Sequence, residues 1–495
     1  MSAAGLIRAA PAQASRRHLL DAGAWAALPM ALAAEPGLEF LGLWGEPGLV
    51  HAAFREGGTV LLASLAVPEG RYPALSPARP GAAWFERTVE DLWGLAAEGG
   101  DPRPWLDHGR WAVRAPLSAH PGHLAGEPPQ PEFRPVEGEG LYQYPIGPIL
   151  PRGGPGHWRA HLQGETVRAL EARLGYGHQG LHSLMLGRTP QAATRLVARI
   201  SAEATVAHAW AFSAAAEAAM GIEAPPRAAL LRLVMAEVER LACHLSDWGE
   251  AMGLIGLGWA QARCALLREG LLRAQEAAFG RRLLLDMILP GGVAADIAPG
   301  GEAALLDALA ALERELPTLQ AVQDEHAGVQ DRLRGLGVTP PALVEALAPG
   351  GPAGRAAGRG FDARHDMPYA PYPGFSFSVP LSAAGDAESR LRLRLRELPE
   401  SLGLIRAALA RLEPGSIAVP LPVGTGEGLA VVESAHGEVL HWLALDQAGL
   451  IRACFPRDPA WMQAPLLEAA MIGEALGDLS LCRASINPSL RGIDL

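Results

Sequence analysis

The four cysteines are the residues of this sequence best suited to bind a soft metal or to form disulfides. They lie far apart and form no Cys-x-x-Cys pair. Thiolate metal sites and disulfide frameworks both rely on cysteines at short, recurring spacings. The spacing therefore indicates isolated buried thiols, and we expect no metal bound by this chain. The cysteines are Cys243, Cys264, Cys454 and Cys482.

The charge balance excludes one large class of partner. The chain has 53 acidic and 42 basic residues, which gives a net charge of -11 at pH 7. Nucleic-acid binding depends on clustered Lys and Arg that neutralise phosphates. We therefore expect protein or small-molecule partners and no nucleic acid. The length of 495 residues and the 49% hydrophobic content predict a globular chain of about two or three domains.

The N-terminus contains an arginine pair of the kind found in twin-arginine export signals. Asp21 and Pro29 interrupt the apolar stretch that follows Ser15–Arg17, so we expect no export signal. No uninterrupted apolar run reaches the roughly 18–20 residues that a membrane-spanning helix needs. We therefore expect a cytoplasmic protein. Apolar residues at helical spacing predict instead an amphipathic helix packed on a sheet: Leu19, Leu20, Trp25 and Leu28.

The hydrophobic pattern changes along the chain and predicts an α+β fold. The runs FLGLWGEPGLVHAAF and GGTVLLASLAV are strand-like and are separated by Gly and Pro turn signals. Pro and Gly are dense from Pro116 to Pro135, which is typical of a linker. From Glu165 onward, apolar residues at i, i+3, i+4 predict long helices, including one from Pro226 to Gly253. The predicted domains are a small α/β sheet domain (1–125), a linker (126–142) and a mainly helical domain with small peripheral sheets (143–495).

Residues 350–380 are rich in Gly and Pro but carry more charge than a plain linker requires. We therefore expect an ordered loop. Beyond it, the sequence predicts a helix from Glu388 to Leu412, strands at GLAVVES and EVLHWLAL, and a closing helix. The charged residues of the loop are Arg355, Arg359, Asp362, Arg364 and His365.

The run from Trp84 to Trp111 is the first recognisable stretch. Its letters, WFERTVEDLWGLAAEGGDPRPWLDHGRW, contain Glu-Arg, Asp-Leu-Trp-Gly and Asp-Pro-Arg-Pro in order. This composite resembles the signature of the small hydrophilic subunit that lies beside the quinone subunit in respiratory complex I. A helix followed by a polar turn would explain the same residues without that relationship.

The second resemblance covers nearly all of residues 143–495. IGPILPRGGPGHWRAHLQGETV resembles a pair of entry strands, LGYGHQGLHSLMLGRT a first long helix, and AEAAMGIEAPPRAALLRLVMAEVERLACHL a central helix with its preceding loop. ILPGGVAADI, GRAAGRGFDARHDMPYAPY and ESAHGEVLHW follow in the same order. Together they are similar to the large subunit of formate-hydrogenlyase-type (group 4 nickel-iron) hydrogenases and to the homologous quinone-site subunit of complex I. Because both parts lie on one chain, the resemblance is closer to the hydrogenlyase branch.

The resemblance places the family's metal-binding cysteines at four positions of this sequence. Active nickel-iron hydrogenases use two Cys-x-x-Cys pairs, because soft, low-spin nickel and iron require thiolate ligands and the two pairs supply four. The matching positions are Ser201 and Ala204 in the first motif, and Ser489 and Gly492 in the second. Ala and Gly have no ligating group, and a neutral hydroxyl is a poor substitute for a thiolate. The resemblance therefore implies a degenerate nickel site without intrinsic hydrogenase activity.

Other family positions are altered too. The glutamate expected before Pro-Gly-His in the entry strands is replaced by Gly154. The histidine that binds the quinone head in complex I falls at Gly153 or Gly154, and its tyrosine partner falls at Ala202. His436 stands where the family usually has Arg. Standard quinone reduction is therefore in doubt.

The polar residues that survive near these positions are the candidate catalytic residues. Glu203 lies inside the former metal motif, and the resemblance places His157, His178 and His208 near it. They would line a cavity for a proton relay or a quinone tail. Each histidine would serve equally well to cap a helix or complete a hydrogen bond in the core. Glu203 is harder to explain structurally, because an unpartnered buried carboxylate is costly.

Two functions follow from the resemblance. The first is a soluble-arm subunit of a membrane-bound oxidoreductase of the NADH:quinone oxidoreductase or hydrogenase type, with electron transfer to quinone coupled to ion translocation. The resemblance implies an iron-sulfur cluster on a separate small subunit, membrane antiporter-like partner subunits, and NAD binding within the assembly. The alternative is a non-redox structural or coupling subunit of an antiporter-like complex. Either way, we expect attachment to the cytoplasmic side of the inner membrane through partner subunits.

Overall fold

The computed structural model describes residues 1–14, 17–109, 111–123, 133–150 and 154–495. The elements of the N-terminal part are α1 (Ala3–Ala9), β1 (Ala12–Ala14), β2 (Arg17–Leu20), α2 (Ala22–Ala33), β3 (Glu39–Glu46), β4 (Leu49–Glu56), β5 (Thr59–Ala66), β6 (Arg71–Pro73), α3 (Ala83–Trp93), β7 (Ala96–Glu98), β8 (Val113–Arg114) and β9 (Gly122–His123). Its main sheet has the order β1-β2-β5-β4-β3. β2 and β5 run parallel, and the other neighbours are antiparallel. The strand-like runs predicted at residues 40–54 and 57–67 are confirmed as β3, β4 and β5.

The predicted N-terminal helix is wrong at its start. Leu19 and Leu20 belong to strand β2, and helix α2 begins after Asp21. The Asp21 carboxylate accepts a hydrogen bond from the Ala24 backbone N–H at 2.7 Å, which satisfies a donor that a helix start would otherwise leave free. Trp25 is buried on the inner face, as expected.

The C-terminal part packs helices around small antiparallel sheets. The sheets have the orders β10-β13-β14, β11-β12, β15-β16 and β17-β18-β19. The elements are β10 (Leu141–Ile146), β11 (Ile149–Leu150), β12 (Gly154–Pro155), β13 (His157–Gln163), β14 (Thr166–Arg173), α4 (Leu181–Met185), α5 (Pro190–Val197), α6 (Thr205–Met220), α7 (Pro226–Ile255), α8 (Gly258–Phe279), β15 (Ile288–Leu289), β16 (Gly292–Val293), α9 (Gly301–Glu325), α10 (Ala327–Leu333), α11 (Pro341–Leu347), α12 (Gly351–Arg355), α13 (Ala363–Asp366), α14 (Ala387–Leu409), β17 (Gly426–Ser434), β18 (Gly437–Leu445), β19 (Ile451–Arg457), α15 (Ala460–Ala470), α16 (Leu479–Ile486) and α17 (Leu490–Asp494).

The α+β prediction is confirmed, with one local exception. LGYGHQGLHSLMLGRT does not form a long helix, because α4 covers only Leu181–Met185 within it. Gly175, Gly180 and Gly187 interrupt this stretch with positive φ angles of 86°, 72° and 71°. The backbone therefore turns repeatedly where a helix would require negative φ throughout. The predicted central helix is present as α7.

The N-terminal sheet and the C-terminal part share one apolar cluster. Trp44 of β3 stacks on Phe455 of β19, with ring centroids 4.5 Å apart, and lies 5.2 Å from the ring of Trp442. Phe85 of α3 stacks on Trp461 of α15 at 4.3 Å. The two parts are therefore held together by side chains as well as by the chain connection.

The division into domains at residues 126–142 stays a prediction. Residues 126–132 of this segment lie outside the described residues, and strand β10 already begins at Leu141. Ser15 and Arg16, which precede Arg17 in the N-terminal arginine motif, also lie outside the described residues. Within the described ranges, no helix combines the length and apolarity needed to cross a lipid bilayer.

Replacing Trp44 by Ala tests the shared apolar cluster. Trp44 is 1% exposed, and deleting a fully buried Trp side chain costs about 3–5 kcal/mol of folding stability. Urea unfolding should show this loss. Met30→Ala, at a residue on α2 that is 81% exposed, is the matched control and should change stability by about 0.5 kcal/mol or less. Equal midpoints for the two variants would contradict the packing described here.

Candidate functional site

Ser201 and Ser489, which the resemblance matched to metal-binding cysteines, are in direct contact. Their Oγ atoms are 3.0 Å apart, and Ser201 Oγ lies 3.2 Å from Oε2 of Glu203. The Gly492 backbone N–H donates to Ser489 Oγ at 3.4 Å. Because each hydroxyl carries one hydrogen, the hydrogen bonds among these side chains all run in one direction. Ser489 donates to Ser201, and Ser201 donates to the Glu203 carboxylate. We call these three side chains the serine chain.

Two short segments position the serine chain. Ser201 and Glu203 lie in the turn just before α6, and Ser489 is the N-cap residue of α17. The start of α6 is held by Glu239 of α7, whose carboxyl oxygens accept hydrogen bonds from the Val206 and Ala207 N–H groups at 2.8 and 3.4 Å. Burial raises the pKa of Glu239 to about 8, although these N–H groups lower it.

His208 lies in a second, fully buried chain of hydrogen bonds. Its Nε2 is 3.0 Å from Oδ2 of Asp458, and its Nδ1 is 3.0 Å from Nε2 of His441. Burial and the neighbouring His208 hold the pKa of His441 well below its ordinary value. With His441 neutral, the consistent arrangement has His208 donating to the carboxylate and accepting from the N–H of His441. Asp458 therefore orients both rings.

Asp458 occupies the space above Gly492. A Cβ atom at position 492 would lie 2.2 Å from Cγ and 2.5 Å from Oδ2 of Asp458. Those distances are far below any van der Waals contact. A carboxylate thus fills the volume where a cysteine side chain would have to stand.

A Gly492→Ala substitution tests this packing. The added methyl group should clash with Asp458 and lower the free energy of unfolding by about 1–3 kcal/mol, as overpacking does. In an Asp458→Ala background the same change should cost less, because the obstacle is gone. Gly477→Ala is the control, since no atom lies within 4 Å of its Cβ position. Additive effects of Gly492→Ala and Asp458→Ala would contradict the clash.

His436, the residue that stands in place of the family arginine, pairs with Asp247 of α7. Its Nε2 lies 2.8 Å from Oδ2 of Asp247, and Nε of Arg394 lies 3.0 Å from the same oxygen. Burial lowers the pKa of His436, but the charge and hydrogen bond of Asp247 outweigh burial and raise it. The pKa of Asp247 is raised by burial but lowered overall by His436 and Arg394. Asn487 completes the group by donating to Asp247 Oδ1 at 2.9 Å.

This pair predicts a pH-dependent part of the folding stability. A histidine whose folded-state pKa is raised contributes stability fully below the unfolded value of 6.5, and loses it as the pH rises through the folded pKa. His436→Gln should therefore destabilise the chain by about 1.5–3 kcal/mol well below pH 6.5, and by less at alkaline pH. Urea unfolding of both proteins across this range measures the difference. A difference independent of pH would rule out the charged pair.

His157 and His178 belong to another group of rings. Tyr176 stacks on His108 with centroids 3.9 Å apart and meets His157 edge-on at 5.1 Å. The ring centroid of His178 lies 5.4 Å from that of Trp111. Burial lowers the pKa of His108 to about 4 and also lowers those of His157 and His178. These three histidines are therefore mainly neutral at pH 7.

Helix α17 connects the serine chain to this ring group. Ser489 caps its first turn, and at its other end the Asp494 backbone carbonyl accepts from His178 Nδ1 at 2.7 Å. The rise of an α-helix separates these two residues by about 8 Å. Among the described residues, no hydrogen bond joins Glu203 to His157, His178 or His208. The four predicted site residues thus lie in three neighbouring groups rather than in one cluster.

The donor groups of the serine chain do not fit a nickel-iron centre. They are neutral hydroxyls and one carboxylate, whereas such a centre requires thiolates. Cys243 lies nearby, but its Sγ donates to the Glu203 carbonyl at 3.2 Å, and burial raises its pKa well above the ordinary value. Across the described ranges, no group of three or more His, Cys, Asp or Glu residues has the geometry of a metal site.

Sequence reasoning missed several residues of the site. Asp458, His441, Asp247 and Glu239 were not singled out. Asp458 precedes Pro459, so it has the appearance of an ordinary turn residue. The contacts of His208 with His441 and Asp458 span 233 and 250 residues of sequence, and local spacing contains no signal for them.

The charged loop at 350–380 is ordered, as predicted, and three of its charged side chains are buried: Arg355, Asp362 and Arg364. Arg355 contacts Glu397 at 2.5 Å and Glu433 at 3.2 Å. Arg364 contacts Asp362 at 2.7 Å and Glu237 of α7 at 3.0 Å. The loop therefore supplies ionic partners to the central helices. Arg359 pairs with Glu39 of the N-terminal sheet at 2.6 Å, and His365 is exposed.

Comparison with known proteins agrees with this architecture. Residues 179–255 match the family of nickel-dependent hydrogenases, and residues 260–424 match the 49 Kd subunit of respiratory-chain NADH dehydrogenase. The chain is 30% identical over 380 residues to NADH-quinone oxidoreductase subunit 4 of Thermus thermophilus, covering 69% of this chain and 92% of that one. It is 28% identical over 438 residues to formate hydrogenlyase subunit 5 of Escherichia coli, covering 84% of this chain and 76% of that one.

A solved structure shows the same fold. A chain of the membrane-bound sulfane sulfur reductase, an archaeal respiratory membrane complex, aligns with a TM-score of 0.68 and 25% identity, over 73% of this chain and 100% of that one. The protein thus belongs to the family that unites the 49 Kd subunit of respiratory NADH dehydrogenases with the large subunit of nickel-dependent hydrogenases. The resemblance seen in the sequence is confirmed.

Proposed function

We propose that this chain is a peripheral subunit of a membrane-bound, complex I-like oxidoreductase that transfers electrons to a quinone without nickel. An iron-sulfur cluster on a separate small subunit delivers the electrons. Membrane antiporter-like subunits anchor the chain and use the reaction for ion translocation. The chain itself contributes protons and the surroundings of the acceptor.

The serine chain is the observation that carries this proposal. It links a partly exposed carboxylate, Glu203, to Ser489 in the turn that replaces the second metal motif. A polarised chain of hydroxyls that ends on a carboxylate can move protons but cannot hold nickel. Reduction of a quinone consumes two electrons and two protons and yields a quinol. Glu203, which is partly exposed, can take up one of those protons and pass it to Ser201 and Ser489 after the two hydroxyls rotate and reverse the direction of their hydrogen bonds.

The alternative function is a coupling subunit without redox chemistry. It is favoured by the buried ion pairs around α7, which tie the central helix to the 350–380 loop and to β17. In such a network, a movement of one segment would separate a buried charge from its partner, which is costly. The paired segments therefore move together. In that case Glu203 would have no part in turnover.

Glu203→Gln in the assembled complex separates the two functions. The amide keeps the shape and accepts a hydrogen bond from Ser201 but does not titrate. If Glu203 delivers protons, quinone-dependent turnover should fall about a hundredfold at equal assembly. Nickel, measured by elemental analysis of the same purified complex, should be far below one atom per chain.

Glu223→Gln is the matched control, since Glu223 is exposed before α7. Its activity should equal that of the wild type. Wild-type turnover in Glu203→Gln would remove the proton-delivery role and favour the coupling subunit. Stoichiometric nickel would overturn the proposal of a nickel-free centre.

A further inference from the structure

A groove of about 330 Å³ lies where the N-terminal part of the chain meets the C-terminal part. One wall comes from residues 80–84, and the other walls come from β14, α11 and α15. Pro80 and Ile472, which line it, are exposed, so the groove opens to solvent. We call it the junction groove. None of its lining residues belongs to the serine chain or to the ring group around Tyr176.

Two tryptophan rings form part of the walls. Trp461 of α15 is 2% exposed and stacks on Phe85. Trp84 is partly exposed and stacks on Trp105, with ring centroids 4.4 Å apart. An indole face attracts a cation, and aliphatic walls suit a hydrocarbon chain. The aliphatic lining residues are Ala169, Leu170, Leu343, Leu347, Pro465 and Ala469.

Among the described residues that line the junction groove, Glu468 alone is ionisable. Its Oε1 accepts a hydrogen bond from the Ala172 backbone N–H at 2.8 Å. Within the described ranges, its Oε2 has no hydrogen-bond partner and the carboxyl group forms no ion pair. Burial raises the pKa of Glu468 to about 7, although the Ala172 N–H lowers it. Of the nearby charges, Glu171 raises this pKa, and Arg173 and Arg134 lower it.

The open oxygen and the apolar walls define the kind of group that fits. A buried carboxylate is costly unless it has a partner of opposite charge, so the occupant should carry a cation. Because Oε1 of Glu468 already accepts from the backbone, one oxygen remains fully open. A single oxygen suits the compact ammonium of lysine better than the paired N–H groups of arginine. The aliphatic stem of a lysine would cover the apolar walls.

We propose that the junction groove is a docking site for a lysine side chain of a partner protein. The ammonium group donates to Oε2 of Glu468, and the aliphatic stem packs on Trp84 and the neighbouring leucines. The site goes beyond the proposed function and rests on it only in taking the chain to be a subunit of a larger assembly. A partner bound here contacts both parts of the chain at once.

Three probes that share a six-carbon chain test the groove by calorimetry on the full chain. At pH 8 Glu468 is mainly ionised, because its pKa is about 7. Hexylammonium should bind about tenfold tighter than hexanol, since only the cation pairs with the carboxylate, and hexanoate should bind most weakly. Equal affinities for hexylammonium and hexanol would show an apolar groove only and would overturn the proposal.

Glu468→Gln keeps an acceptor for the Ala172 N–H but removes the charge. It should weaken hexylammonium binding about tenfold and leave hexanol binding unchanged. Glu345→Gln is the matched control, because Glu345 is exposed on α11 and lies outside the groove lining. This control should bind all three probes as the wild type does. Unchanged hexylammonium affinity in Glu468→Gln would count decisively against the site.

Proton release gives a result that does not depend on the folding of a variant. With a pKa of about 7, Glu468 is about half protonated at pH 7, and pairing with a cation favours its ionised form. Hexylammonium should therefore release about half a proton on binding at pH 7, whereas hexanol should release none. The difference in binding heat between two buffers of different ionisation enthalpy measures this release. Binding of hexylammonium without proton release would overturn the pairing with Glu468.

Carbodiimide coupling in the purified complex identifies the source of the ammonium group. The reagent activates a carboxyl group and joins it, as an amide, to an amine in contact with it. Peptide mapping should find Glu468 joined to a lysine of a partner subunit, and this product should be absent from the Glu468→Gln complex. Hexylammonium binding without such a cross-link would assign the groove to a small amine and overturn the docking site.

The same measurements separate this site from the proposed function. A Glu468 cross-link in a complex that does not reduce quinone would leave the docking site standing and overturn the function. Quinone reduction by a complex whose chain shows no preference for hexylammonium would do the reverse.

Discussion

The fold depends on a stripe of ionisable side chains buried along one face of α7. An unpaired charge in a protein interior costs several kcal/mol, so each member must find a partner of opposite charge or a set of hydrogen-bond donors. The partners come from the 350–380 loop, from α14 and from the β17–β18 hairpin, which are distant in sequence. These segments are therefore fixed in position by electrostatic need as well as by apolar packing. The members of the stripe are Glu237, Arg240, His244 and Asp247.

The same stripe sets the geometry of the site. Asp247 accepts from Asn487 just ahead of the turn that carries Ser489, and also pairs with His436 of the hairpin. One turn of the helix earlier, Cys243 bonds to the backbone of the segment that carries Glu203. Helix α7 thus holds the segment of Glu203 and the segment of Ser489 at a fixed separation. This explains why the side chains of Ser201 and Ser489 meet.

The sequence was most informative where the signal is local. Strand-like runs between Gly and Pro turn signals located β3 to β5, and apolar residues at helical spacing after Pro226 located α7. The prediction of a helix failed at Leu19 and Leu20, where apolar spacing suited a helix but pairing with β5 favoured a strand. The resemblance placed His157, His178 and His208 near Glu203, but the hydrogen-bond partners of His178 and His208 among the described residues are Asp494, Asp458 and His441. Asp458 and His441 escaped notice because their contacts with His208 join residues more than 230 positions apart in sequence.

The stacking of Trp44 on Phe455 helps to fix how the N-terminal and C-terminal parts of the chain pack against each other. Interfaces built from large buried aromatic rings persist between separate polypeptides when the contact area is sufficient. The covalent connection then raises the effective concentration of each part near the other but does not set the way in which they pack. It makes the encounter of the two parts independent of the amounts synthesised and ensures one copy of each. The single chain thus secures equal amounts of the two parts, while the aromatic contact and ion pairs such as Arg359 with Glu39 determine their arrangement.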